Sequence, residues 1–299
     1  MAARPSYQGI LFMLLAALGF SLMGAAAKMV KDHFNAGQLV FWRNMIGAIV
    51  LVPSLIWKPP VRKTGGKTGW LIFRGFMGTM ALYALLYCVI YMPLGTAMTY
   101  NLTSTIWIAL FSFFVFKEYA GGQVILAILI GFAGMLLVYQ PSMHLPWYYH
   151  FAGFISGISS AIAYITVGRL NTYYDPRLIV LAFIVGGTIT PLISMLLHYF
   201  SGLPEDGIWL VSWQWPAGIQ WIWIIGMGIT ALFGQYFVTR AYGADKASVV
   251  SAISYANIVF SVFLGVLLGD QFPDFTTATG IICIILSGII ISMYKHKTS

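Results

Sequence analysis

Arg43 stands inside the apolar run QLVFWRNMIGAIVLV, with no acid beside it. A guanidinium offers paired hydrogen bonds to a carboxylate or a phosphate. Contact with lipid is costly for such a charge, so it should face a cavity or a partner; the alternative is a structural arginine that snorkels outward or pairs with an acid at the outer surface. A second set of side chains recurs at offsets of three and four. Tyr100, Asn101, Ser104 and Trp107 form one stripe of a helix, and Ser254, Tyr255 and Asn257 form a corresponding band later in the chain. Gln235, Tyr83 and Tyr164 add further polar tips within apolar surroundings. These residue types suit binding: hydrogen bonds to a small polar molecule held against an aromatic wall. They suit equally well a structural role, tying helices together at about 1 kcal/mol or less per bond.

Bond-making chemistry has no comparable constellation. The histidines (His33, His144, His150, His198 and His296) fall in loops or at the ends of apolar runs, without metal-ligand spacing. Cys88 and Cys283 sit inside apolar runs, where a free thiol packs as a small hydrophobe. No catalytic residue, metal or cofactor is expected.

The elements that must position these residues follow from composition. Of 299 residues, 60% are hydrophobic and 8% charged, and the mean hydropathy is +0.85, against about a quarter charged in soluble domains. The chain is expected to be an all-α membrane protein, since a hydrocarbon core needs about 20 apolar residues per helix. Ten transmembrane helices are expected, at 9–29, 37–57, 70–91, 94–116, 122–139, 148–170, 177–199, 217–242, 246–269 and 275–294. Small residues at Gly24 to Ala27 end the first run as a signal peptide might end, but that run is long for a cleaved leader and is expected to be retained.

The formal net charge of +8 is read through position rather than as a nucleic-acid footprint. With both termini cytoplasmic, 13 of the 16 basic residues, Arg74 among them, fall on the cytoplasmic side, and only Lys28, Lys31 and Arg43 on the other. No acid lies in the middle of any expected span, so the usual carboxylate member of a proton relay is missing, and exchange or uniport ranks above proton symport.

The stretch 93–118 repeats after 152 residues as 245–270. Thr96 meets Ser248, Ile106 meets Ile258, Phe111 meets Phe263 and Glu118 meets Asp270. Two units follow, 8–140 and 148–294. Five spans in each makes them inverted repeats, the second copy upside down relative to the first.

The opening FWRN of the second span (Phe41, Trp42, Arg43, Asn44), the joint after Lys117 and Glu118, the run 231–242 and the duplicated plan together resemble the drug/metabolite transporter superfamily, in its EamA-domain branch. That resemblance covers nearly the whole chain. It implies a ten-helix inner-membrane carrier with a central cavity lined by spans 1 to 4 and 6 to 9, and spans 5 and 10 peripheral. Members move amino acids, purines, riboflavin, S-adenosylmethionine and other small polar metabolites. The expected function is therefore secondary transport of an amino-acid-like or nucleoside-derived metabolite by alternating access. The expected partners are a small-molecule substrate and the lipid bilayer, without nucleic acid, in a monomer or homodimer. Arg43, Tyr83, Tyr100, Asn101, Ser104, Trp107, Tyr164, Gln235, Ser254, Tyr255 and Asn257 are the expected substrate-binding residues. A non-transporting receptor or assembly factor is the alternative, and a membrane enzyme ranks below both.

Overall fold

The computed structural model describes residues 7–30, 32–61, 63–91, 98, 100–116, 121–140, 146–204, 210–268 and 272–298. Among them every regular element is a helix. In chain order these are α1 (Gln8–Lys28), α2 (Ala36–Trp57), α3 (Thr68–Tyr91), α4 (Ser104–Phe116), α5 (Gly122–Tyr139), α6 (Trp147–Tyr173), α7 (Pro176–Ser201), α8 (Gln220–Ala244), α9 (Ala247–Ile253), α10 (Ala256–Leu267) and α11 (Phe275–Thr298). Among the described residues seven spans are long and apolar enough to cross a membrane, with α9 and α10 counted as one, and two shorter apolar helices accompany them. The chain is a multi-pass membrane protein. Residues 93–97, Lys117 and Glu118, their counterpart Asp270, and the joint at 141–145 lie outside the described residues, as do Arg4, Lys31 and Arg62.

The helices pair in a pattern that repeats itself. α1 packs along α8, and α6 along α3; α2 touches α8 as α7 touches α3; α1 meets α10 as α6 meets α4. Of the remaining large contacts, α2 with α7 and α5 with α11 join each helix to its own counterpart, whereas α6 with α8 has no comparable α1–α3 contact to match it. Apart from α6 with α8, these pairs match when the two expected units are exchanged.

The α2–α7 crossing carries that relation down to side chains. Each helix begins on a short polar cap that ties its first turn: the Asn35 side chain accepts from the Gln38 amide at 3.0 Å, and Asp175 accepts from the Arg177 amide at 2.9 Å. Nine residues past the caps, Asn44 and Ile184 each point at a glycine of the other helix. Asn44 donates to the Gly187 carbonyl at 3.2 Å, and a methyl of Ile184 lies 3.2 Å from where a Cβ on Gly47 would be. Both helices continue through their prolines, Pro53 and Pro191.

Two crossings depart from the sequence expectation, which ran them as continuous helices with polar centres. The fourth is interrupted at Thr103 and the ninth at Ser254 and Tyr255, positions that the 152-residue offset superposes. At each break the chain tightens to i to i+3 bonds: the Thr103 amide reaches the Tyr100 carbonyl at 3.2 Å, and the Ser254 amide reaches Ser251 at 3.1 Å. The local cause is hydroxyls that compete for the same carbonyls. Thr103 Oγ1 donates to the Tyr100 carbonyl at 2.6 Å and Ser254 Oγ to the Ser251 carbonyl at 2.5 Å.

Both breaks are also held from outside. Asn101 donates to Ser156 and Ser160 of α6, each at 3.1 Å. Asn257 donates to the Ala17 carbonyl of α1 at 3.0 Å and to Ser21 at 3.1 Å. Gly157 lets α6 press against the first break, where a Cβ would come within 2.7 Å of the Tyr100 carbonyl.

One end of the bundle is closed by polar ties between the 58–68 connection and the α6–α7 turn. Arg177 donates to the carbonyls of Ser54 (3.2 Å), Lys58 (2.7 Å) and Pro59 (3.3 Å), and Asp175 accepts from the Val61 amide at 3.0 Å. Burial works to raise the Asp175 pKa. The bonds from the Arg177 side chain and from the Arg177 and Val61 amides outweigh it and hold the carboxyl below its ordinary value. The other end of α2 is closed by aromatic packing of Trp42 on Phe41, Trp213, Trp215 and Trp221, with centroids 5.2 to 5.7 Å apart.

Candidate functional site

Arg43 is carried by α2, eight residues beyond its Asn35 cap, and its side chain crosses to α1 and α7. Its Nε donates to Met23 Sδ at 3.3 Å, and its guanidinium lies 5.3 Å from the centroid of Phe183. One terminal nitrogen is buried without a hydrogen-bond partner among the described residues. Phe183 is eight residues beyond the Asp175 cap, so it is the α7 counterpart of Arg43.

A second arginine reaches the same ring. The sequence reading placed Arg74 with the cytoplasmic basic residues, but it is 1% exposed in α3. Its guanidinium sits 5.0 Å from the Phe183 centroid. Its Nε and one terminal nitrogen are unpartnered among the described residues. Gly78 makes this possible, since a Cβ there would overlap the guanidinium and approach the Phe183 ring to 2.7 Å. Neither Arg43 nor Arg74 forms an ion pair among the described residues. A cation over an aromatic ring gains about 0.5–2 kcal/mol, whereas taking an ion out of water costs several kcal/mol. The two rings of charge are therefore under-compensated.

Tyr164 of α6 lies within electrostatic reach of both guanidiniums and stacks on Tyr242 of α8 at 5.1 Å and 14°. Gln235 of α8 is buried, and its amide oxygen has no partner among the described residues. It lines a crevice with Arg43, Asn44, Gly47, Ile184, Ala231 and Leu232. That crevice holds about 10 Å³, room for about one water and too little for a metabolite.

The expected binding residues thus divide. Tyr164 and Gln235 both neighbour Arg43, together with Arg74 and Phe183, which sequence reasoning did not single out. Asn101, Ser254 and Asn257 are engaged in the bonds that shape the two breaks, and Ser104 is buried directly after the first of them. Tyr100 bonds His150 Nδ1 at 2.7 Å, and Trp107 packs edge-on against Phe154 at 5.1 Å. Tyr255 is fully buried in the cluster with Met135, Ile258 and Ile284 of α5, α10 and α11. Tyr83 is half-buried on α3 with its hydroxyl unpartnered among the described residues. The signal that marked Arg43, a charge within an apolar run, was also present at Arg74 and was masked by the basic loop just before it.

Comparison with known proteins agrees with this architecture. The model of the EamA-like transporter family matches residues 7–140. An uncharacterized transporter of Helicobacter pylori is 31% identical over 290 residues, which covers 95% of this chain and 94% of that protein. The pseudopaline exporter of Pseudomonas aeruginosa is 26% identical over 289 residues, 96% of each. A solved crystal structure superposes with a TM-score of 0.78 over 96% of this chain and 97% of its own, at 16% identity, a likeness of fold alone.

Proposed function

The chain belongs to the EamA-like transporter family of the drug/metabolite transporter superfamily, whose members named above are transporters rather than enzymes, and from that premise we propose that it moves a small polar or zwitterionic metabolite across the inner membrane by alternating access, with Arg43 binding an anionic group of the cargo. The observation that carries the reading is the Arg43 guanidinium, placed where helices of both units meet and left with an unpartnered buried nitrogen among the described residues. An anionic cargo supplies the missing acceptors.

The helix arrangement supports the transport step. Interrupted crossings at repeat-equivalent positions occur in carriers where half-helix ends and freed backbone groups line a midplane site. Two five-span units of opposite orientation, with both termini cytoplasmic, would exchange conformations and open one site to either side. The crevice of about 10 Å³ beside Arg43 fits a closed state, so loading requires the α2–α7 region to part. Tyr164, Gln235 and Tyr83 supply polar tips beside apolar surfaces, which suits an amino-acid-like or nucleoside-derived cargo.

Uptake of labelled metabolites into proteoliposomes tests the proposal. Flux that saturates with substrate, and falls in Arg43→Ala without loss of protein from the membrane, is the expected result. No flux of any candidate in either direction would remove the transport reading; unchanged flux in Arg43→Ala would assign the arginine to structure.

A further inference from the structure

We infer that Arg43 and Arg74 act together as one divided anion site that selects cargo bearing two negative charges, a dicarboxylate or a phosphate monoester. The inference rests on the transport reading for its physiological meaning, but its binding chemistry stands on separate observations. Both guanidiniums lie against Phe183, at 5.3 and 5.0 Å from its centroid, so their carbons are no more than about 10 Å apart, the sum of those distances. Three buried nitrogens, one on Arg43 and two on Arg74, have no acceptor among the described residues.

Like charges this close repel, and a single carboxylate would neutralise only one of them. A dianion satisfies both and turns the repulsion into paired attraction, with charge-assisted hydrogen bonds to each guanidinium. The protein maintains the second charge at some structural expense. Gly78 has no side chain at the one place where a Cβ would displace the Arg74 guanidinium, and the ring of Phe183 serves both cations. A structural arginine of ordinary kind would have a carboxylate or carbonyl partner, as Arg177 has at the bundle end. The unpartnered amide oxygen of Gln235 is placed to accept a donor from the same cargo on the Arg43 side of the crevice.

The test measures thermal stabilisation of the purified full chain by four probes: succinate and glycerol 3-phosphate as dianions, and monomethyl succinate and lactate as monoanions. A ligand that binds the folded form raises the apparent stability. Half-maximal stabilisation by a dianion at a concentration about tenfold below that of its monoanion counterpart is expected, the worth of one added charge-assisted contact. Succinate and glycerol 3-phosphate separate the two sources of charge. Arg74→Gln is expected to flatten the dianion preference while leaving monoanion binding in place, and Arg74→Lys, which keeps the charge and folds if the neutral variant does not, is expected to retain it. Equal response to monoanions and dianions, no response to either dianion at millimolar concentration, or an undiminished preference in Arg74→Gln would each overturn the inference. Dianion preference without flux in proteoliposomes would instead leave the site standing and remove the transport reading; flux of a cargo that shows no charge preference would do the reverse.

Discussion

α2 and α7 begin on polar caps of the same kind, present Asn44 and Ile184 to each other's glycines at matching positions, and pack against each other. Eight residues beyond the caps they part company: α2 carries Arg43 and α7 carries Phe183. The shared features all concern backbone approach and helix initiation, which any two-fold arrangement needs in both copies. The difference concerns charge, which need be supplied only once where two helices cross. The helix frame is thus alike in α2 and α7, and the divergence at one register places a cation on one helix and an aromatic ring on the other.

The largest effect should come from the position where the helices differ. Arg43→Ala is expected to lower transport by at least about tenfold, since one charged contact contributes about 1.5–3 kcal/mol, at unchanged membrane abundance. Phe183→Ala is expected to act mainly on stability, lowering the melting temperature of purified protein through the cavity left beside the guanidiniums. Equal transport losses in the two variants, each without a stability change, would dissolve the contrast.

The matched glycines sharpen it next. A Cβ on Gly187 would meet the Asn44 amide at 2.5 Å, whereas one on Gly47 would meet only a flexible methyl of Ile184 at 3.2 Å. Gly187→Ala is therefore expected to destabilise by about 1–3 kcal/mol and Gly47→Ala by less, measured side by side in thermal unfolding. If the order is reversed, the Asn44 contact is not what holds the helices at this distance.

A smaller effect is expected at the breaks. Asn101→Ala and Asn257→Ala each remove bonds worth about 1 kcal/mol or less in a membrane interior, so both should give modest, similar losses in melting temperature. A large loss from one alone would show that only one break is maintained by its asparagine.

The smallest effect separates the two caps by pH. Asp175 has its carboxyl held below the ordinary value, so its contribution to stability is present above the unfolded-state pKa of about 3.9 and is lost as pH falls through the lower folded value. Asn35 has no such dependence. Stability of the wild type relative to Asp175→Asn should narrow as pH is lowered into that range, and a gap independent of pH would assign the cap to shape alone.

Much of the candidate site was legible before any coordinates. Arg43 announces itself because a lone charge in an apolar run must find a partner, and Gln235 and Tyr164 stand out for a weaker version of the same reason. Arg74 did not, because it follows Lys63 and Lys67 closely and the start of α3 cannot be fixed by composition to within a turn. One turn decides whether an arginine reaches water or lies under Phe183. Thr103 and Ser254 were visible as polar residues in apolar helices, but hydroxyls fit equally well on a continuous helix and in a tightened turn. The choice falls to neighbours far away in sequence, Ser156 and Ser160 for one break and Ser21 for the other.

Hydropathy and charge sufficed, on the sequence alone, to establish a helical membrane protein, and a 152-residue self-similarity marked which crossings correspond. Those properties are local or additive along the chain, so they need no knowledge of what packs on what. Whether a buried cation has an acceptor, whether a polar helix bends, and which ring two charges share depend on pairs of residues brought together by folding, such as Gly78 with Arg74 and Phe183. Only the packed bundle decided those, because desolvation and close contact belong to neighbours in space.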